Sequence, residues 1–201
     1  MCGRYYVDDE TAKEIEKIVR EVSTRMEQKK DVCPSNSAMV LHKGVSSMKV
    51  ADMSWGFPGH GDHNLIINAR IESAMQKPTF KNSIVSRRCI IPAKGFYEWD
   101  KSKNKIQFER MDQKVLYMAG IWKPGIDSNC FVILTTAANT SVISVHNRMP
   151  LILEQNELEN WIFDHEFIEY AVHKVPTVLN KITPDIPKGS EYKQMSLFEE
   201  K

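Results

Sequence analysis

Four short segments carry side chains able to move protons or attack an electrophile. The first is Met1-Cys2-Gly3-Arg4. A residue as small as Cys2 lets an aminopeptidase trim Met1, which would leave an α-amine and a thiol on one residue. Their reference pKa values, about 7.7–8.0 and about 8.5, give both groups nucleophilic forms near neutrality. Such an aminothiol condenses with an aldehyde: the amine forms a Schiff base, then the sulfur adds to the same carbon and closes a thiazolidine. An internal cysteine, whose nitrogen is an amide, cannot do this. The plainer reading is a cysteine that sits at position 2 without chemical consequence.

In the second segment Asn68 and Arg70 lie two apart, so on a strand they share a face. Asn68 is suited to hydrogen-bond a nucleophile and Arg70 to hold a phosphate, unless both simply form a polar strand end. The third places Glu98 between Tyr97 and Trp99. A carboxyl among aromatics has its pKa raised towards neutrality and suits general acid–base work. The alternative is a solvent-facing Glu on an alternating strand. The fourth has His146 and Arg148 two apart, ahead of Pro150; histidine is the side chain best matched to proton transfer near pH 7.

Other chemistries find less support. Cys2, Cys33, Cys89 and Cys130 contain no CxxC pair, and the remaining histidines (His42, His60, His63, His165 and His173) form no compact ligand set. No metal site and no cofactor are expected. A net charge of +1 excludes a globally basic nucleic-acid binder, so any DNA contact must be a local patch. No apolar run approaches the roughly 18 residues of a membrane span, and no signal peptide is evident. The expectation is a cytoplasmic protein with no membrane partner and no disulfide framework. At 201 residues with 42% hydrophobic and 26% charged, the chain reads as one globular domain.

The elements that must position these residues are mostly strands. Asp8 or Asp9 caps a helix whose apolar stripe runs through Ile15, Ile18, Val19, Val22 and Met26. Residues 31–36 are turn chemistry. Residues 38–43 and 48–55 read as strands around Lys43-Gly44, and residues 63–70 hold a short buried one. Strands follow over 89–99, 105–111, 115–122 and 129–137. Helices are expected from about Glu154, including Leu158, Trp161 and Ile162, and over 167–172. Strands with peripheral helices predict an α+β domain with a mainly antiparallel sheet.

Taken in order, Met1-Cys2-Gly3-Arg4, Trp55-Gly56, Asn68-Ala69-Arg70-Ile71-Glu72, the stretch from Pro92 to Trp99, and His146-Asn147-Arg148-Met149-Pro150 resemble the motifs of the SOS-response-associated peptidase (SRAP) family, the abasic-site processing proteins. The resemblance implies a compact single domain over 1–190 around a distorted, mainly antiparallel β-barrel-like sheet with peripheral helices, and an extended tail over 191–201. It implies a monomer that recognises abasic sites in single-stranded DNA, including junctions with duplex, at damaged forks on the nucleoid. By position, Cys2 is then the crosslinking nucleophile, Asn68 positions it, and Glu98 and His146 assist proton transfer. Arg4, Arg70 and Arg148 hold phosphates, while Trp55 and Trp99 wedge or stack at the unpaired region. Lyase and autocatalytic peptidase activities belong to the same expectation.

Two positions depart from the family's Asn-Val-Ala-Pro: Asp31 replaces Asn and Cys33 replaces Ala. The Asp31 charge bears on any DNA contact made there. In the tail, Gln194-Met195-Ser196-Leu197-Phe198 resembles the pentapeptide by which bacterial repair proteins bind the sliding clamp, with Gln194, Leu197 and Phe198 as the contact residues. Two rival readings stand beside the crosslinker. One is a cysteine peptidase that releases its own Met1; the other is a non-enzymatic single-stranded-DNA-binding module.

Overall fold

The computed structural model describes residues 2–19, 30–59 and 64–183. In chain order the elements are β1 (Arg4–Val7), α1 (Asp9–Ile18), β2 (Lys30–Val32), β3 (Ser37–Lys43), β4 (Met48–Trp55), β5 (Phe57–Pro58), β6 (Leu65–Ile66) and β7 (Asn68–Arg70). Then come α2 (Ile71–Ala74), α3 (Pro78–Ser86), β8 (Arg88–Ala93), β9 (Gly95–Trp99), β10 (Lys105–Arg110), β11 (Leu116–Lys123) and β12 (Cys130–Ala137). The last are β13 (Arg148–Pro150), β14 (Ile152–Leu153), a 3-10 turn over Gln155–Glu157, α4 (Leu158–Phe163), α5 (Phe167–His173) and β15 (Leu179–Ile182).

Local chemistry sets several boundaries. Asp8 caps α1 by accepting from the Thr11 amide at 2.9 Å, and Thr11 returns the contact to the Asp8 amide in a capping box. Acidic Asp9 and Glu10 lie in its first turn, where they complement the helix dipole. The expected continuation through Val22 and Met26 lies outside the described residues. Residues 88–99 form two strands, interrupted at Lys94. A Cβ on Gly95 would stand 2.5 Å from both the Phe108 carbonyl and the Tyr6 hydroxyl, so only glycine lets β9 enter between β1 and β10 there. Asp31 and Val32, expected in a turn, belong to β2; the turn follows them, with the Asn36 side chain accepting from the Cys33 amide at 2.9 Å.

One sheet returns on itself. β12 pairs with β4, β4 with β3, β3 with β8, β8 with β11, and β11 again with β12. That closes a ring of five strands, antiparallel except where β12 meets β4. Strand β7 also runs parallel to β12, with Asn68 opposite Ile133. The second sheet is antiparallel throughout, in the order β15-β10-β9-β1-β2. Alternation gives it two unlike faces. Tyr5, Val32, Phe96, Ile106 and Phe108 lie in the core shared with the ring, whereas Arg4, Tyr97, Trp99, Lys105 and Gln107 occupy the opposite face.

The second core lies between the ring and the helices, centred on Ile90, Leu134 and Trp161. Its distinctive contact is Arg88, buried at the start of β8. Its guanidinium donates to the carbonyls of Ile84 at 3.0 Å, Trp161 at 2.5 Å and Asp164 at 3.2 Å. These groups end α3 and α4, whose last carbonyls have no helical partner. Helices α2 and α3, absent from the sequence expectation, are short; α3 begins with Pro at its first position and buries Phe80 and Ile84. Arg88→Ala leaves several buried carbonyls unpaired and is expected to cost about 3 kcal/mol, read as a lower urea midpoint with unchanged m-value.

Candidate active site

The register of β1 against β9, Arg4 opposite Tyr97 and Tyr5 opposite Phe96, brings Cys2 to the end of β9 where Glu98 turns inward. Cys2 is fully buried, with its Sγ 3.7 Å from the Arg4 carbonyl. Across the core, Asn68 at the start of β7 donates from Nδ2 to the Cys2 carbonyl at 2.9 Å. The Asn68 Oδ1 is also buried and accepts no hydrogen bond among the described residues. Asn68 therefore holds the Cys2 backbone rather than its sulfur.

Glu98 is only 3% exposed, which excludes the solvent-facing alternative. Burial, the largest influence, pushes its carboxyl above the usual range; the charges of the amino terminus and of His146 pull it back only part of the way. Burial and then the Glu98 charge push the Cys2 thiol upward. The thiol is thus protonated at neutral pH and needs a base before it can attack.

His146 precedes β13, and its Nδ1 accepts the Arg148 amide hydrogen at 2.9 Å. The same Nδ1 stands 3.1 Å from the Arg148 carbonyl; when it accepts from the amide, the neutral ring carries its proton on Nε2. The Arg148 side chain forms a bidentate pair with Glu72, at 2.7 and 2.8 Å, and donates to the Thr135 carbonyl at 2.5 Å. Burial works to raise the Glu72 carboxyl, but the Arg148 hydrogen bonds and charge more than offset it, so it lies below its ordinary value. Cys2, Asn68, Glu98 and His146, from four separate parts of the chain, thus share one site. Among the described residues, no group of three or more His, Cys, Asp and Glu side chains is placed to hold a metal ion.

A family model for the SOS response associated peptidases (SRAP) matches residues 1–182. The chain belongs to the SRAP family. Abasic site processing protein YoaM of Bacillus subtilis is 32% identical over 146 residues, which are 66% of this chain and 64% of that protein. The chain so spans a little under two thirds of that relative's length. Abasic site processing protein YedK of Escherichia coli is 30% identical over 176 residues, 81% of this chain and 79% of that protein. The fold is shared with a solved protein from Bacteroides thetaiotaomicron, at TM-score 0.77 and 21% identity over 90% of this chain and 91% of that one. A phage-related protein from Bordetella bronchiseptica is similar at TM-score 0.74 and 21% identity, over 90% and 93%.

In this SRAP chain the residues expected to meet DNA divide. Arg70 is exposed. Trp99, 38% exposed, has the Arg4 guanidinium 5.8 Å above its ring. Arg148 is instead committed to Glu72 and Thr135, its side chain 13% exposed, and its observed work is to fix His146. Trp55 overturns the expectation of a wedge. It is 0% exposed, nearly parallel to Phe131 at 6.2 Å and tilted against Tyr5 at 5.2 Å. Its Nε1 donates to the Ile67 carbonyl at 2.9 Å. The closure of β4 onto β12 turns the ring inward, so Trp55 positions the chain just before Asn68 and offers no face to a base. Sequence reasoning also missed Glu72 as a site residue; its place two after Arg70 in the same segment was the available signal.

Because Glu98 holds its proton more tightly folded than unfolded, its stability contribution is fully present below about 4.3 and is lost as pH rises through the folded value. Glu98→Gln, which cannot ionise, is expected to gain Tm relative to wild type as pH rises from about 4 to 7. Thermal melts across that range check the sign; a gap independent of pH contradicts it.

Proposed function

We propose that this protein processes abasic sites in single-stranded DNA by crosslinking to them through Cys2 once Met1 has been removed. The observation that carries the reading is the enclosure of Cys2 by Asn68, at 2.9 Å from its carbonyl, with Glu98 and His146 as titratable neighbours. The names of YoaM and YedK agree with it. A nucleotide that keeps its base is too bulky for so enclosed a residue, whereas a ring-opened deoxyribose presents a slim aldehyde.

The chemistry follows from the protonation states. The Cys2 amine attacks C1′ of the aldehyde to give a carbinolamine. Protonated Glu98 supplies the proton with which the hydroxyl leaves as water, and an iminium remains. The Glu98 carboxylate then takes the proton from Sγ, and the sulfur adds to the iminium carbon to close the thiazolidine. The balance is aldehyde plus aminothiol to thiazolidine plus one water, with Glu98 restored. His146, in the tautomer with its proton on Nε2, is the group suited to protonate the sugar ring oxygen as it opens. Left open, the iminium undergoes β-elimination of the 3′ phosphate, which is lyase chemistry; ring closure suppresses that break.

Outside the pocket, exposed Arg70 and the Arg4–Trp99 pair supply a phosphate contact and a stacking surface for the strand. The tail residues Gln194, Leu197 and Phe198 lie outside the described residues. We assign them to sliding-clamp binding on their sequence pattern alone, as an apolar anchor for a groove.

Cys2→Ala removes the sulfur and keeps the terminal amine. It is expected to abolish heat-stable crosslinks to abasic single-stranded DNA on denaturing gels, while slow strand cleavage persists; heat-stable crosslinks from this variant would refute the mechanism. Deleting residues 193–201 is expected to eliminate binding to immobilised bacterial sliding clamp and to spare crosslinking. Unchanged clamp affinity would remove that assignment.

A further inference from the structure

Asp31, the charged departure from the family pattern, sits at the centre of a small receptor. On β2 its Oδ2 is 3.6 Å from Arg4 Nη1 and 3.5 Å from Lys105 Nζ, and its Oδ1 accepts from the Tyr97 hydroxyl at 3.2 Å. Lys105 Nζ also stands 3.6 Å from the Tyr97 ring centroid. The four groups come from β2, β1, β10 and β9, so the sheet holds them together. Every partner distance exceeds 3 Å, and the Arg4, Lys105 and Asp31 side chains are all more than a third exposed. Ion pairs of that kind contribute at most about 1 kcal/mol, which is little reason for a fold to gather them. A guanidinium, an ammonium and a phenol hydroxyl converging on two anionic oxygens are, however, the donors a phosphate diester requires.

We propose that Arg4, Lys105 and Tyr97 form a phosphodiester subsite for the DNA strand, and that Asp31 is the resident anion a phosphate must displace. The inference rests on the DNA-binding reading given above and adds Lys105 to the residues that meet the strand, with Tyr97, 5% exposed, offering its hydroxyl alone. Arg4 is two residues from Cys2, and Trp99 follows Glu98, so the subsite lies on the route by which a strand reaches the reactive group. Asp31 weakens every passing contact equally. Undamaged DNA, whose binding is electrostatic and reversible, is thereby released more readily, whereas a strand already captured covalently stays bound.

The test uses the full chain and a fluorescein-labelled, undamaged oligothymidine, with anisotropy read across a salt titration. Asp31→Asn is expected to bind about tenfold tighter than wild type and to steepen the salt slope by about 0.7 for one added phosphate contact. Asp31→Glu keeps wild-type affinity, and Lys105→Gln in the Asp31→Asn background removes the gain. Unchanged affinity in Asp31→Asn, with its far-ultraviolet circular dichroism and melting unaltered, overturns the subsite; so does a gain that survives Lys105→Gln. The abasic-DNA gel separates the two claims. Wild-type crosslinking with no Asp31→Asn gain defeats the subsite alone, and an Asp31→Asn gain with no crosslinking defeats the crosslinking reading alone.

Discussion

The antiparallel register between β1 and β9 is the constraint on which the site depends. With Tyr5 opposite Phe96, Cys2 falls beside the inward-facing Glu98, while Trp99, one residue later, faces outward. A slip of one residue would exchange those faces, exposing the carboxyl and burying the indole. The register is held from both sides. Gly95 admits the close approach of Tyr6 and of the Phe108 backbone, and β10 pairs along β9 with Ile106 opposite Glu98. The Glu98 carboxyl is thereby fixed by backbone pairing, with no flexible loop in between.

A single sheet consequently separates two electrostatic regimes. On its inner face, burial makes charge costly, and both the Cys2 thiol and the Glu98 carboxyl are pushed towards their protonated forms. On the outer face, Arg4, Lys105 and Asp31 remain partly solvated, where charges are cheap to keep and easy to exchange. The proposed crosslinking draws on the first condition and the proposed strand contact on the second. The sheet supplies both within a few residues of sequence because strand neighbours alternate in direction.

What was legible in the sequence is what local chemistry decides. The span of β4 coincides with the expected 48–55, and strands 105–110 and 130–137 fall within a residue of expectation. The carboxyl of Glu98 is raised as expected, but burial in the core causes it, since its flanks Tyr97 and Trp99 point to the opposite face of the strand. Long-range closure was not legible. Whether Trp55 faces solvent is decided by Phe131, 76 positions away, and the partner that occupies Arg148 is Glu72, also 76 away. Nothing local distinguishes an aromatic that ends a strand at a surface from one that ends it inside a ring. Helices α2 and α3 escaped for another reason: four and nine residues are too few for a periodic stripe to stand out.

The two glutamates around His146 show how one neighbourhood separates proton transfer from positioning. Glu72 and Glu98 begin with the same intrinsic acidity, and burial presses upward on both. Glu72 meets a guanidinium in bidentate geometry and ends below its ordinary value, a fixed anion unable to hold a proton near neutrality. Glu98 meets no guanidinium; the charges of the amino terminus and His146, with hydrogen bonds from the amino terminus and the Trp99 amide, offset its burial only in part, and it ends above the ordinary value. Environments that drive like groups apart in acidity suit them to different work: Glu72 anchors Arg148, whose amide contacts His146 Nδ1, while Glu98 is the one of the pair able to hold a proton nearer neutrality. Met1 removal moves the terminal amine onto Cys2 itself, so the cation facing Glu98 and the nucleophile become one residue. In the proposed mechanism the same carboxyl then serves both reacting atoms, accepting from the thiol after donating to the departing water.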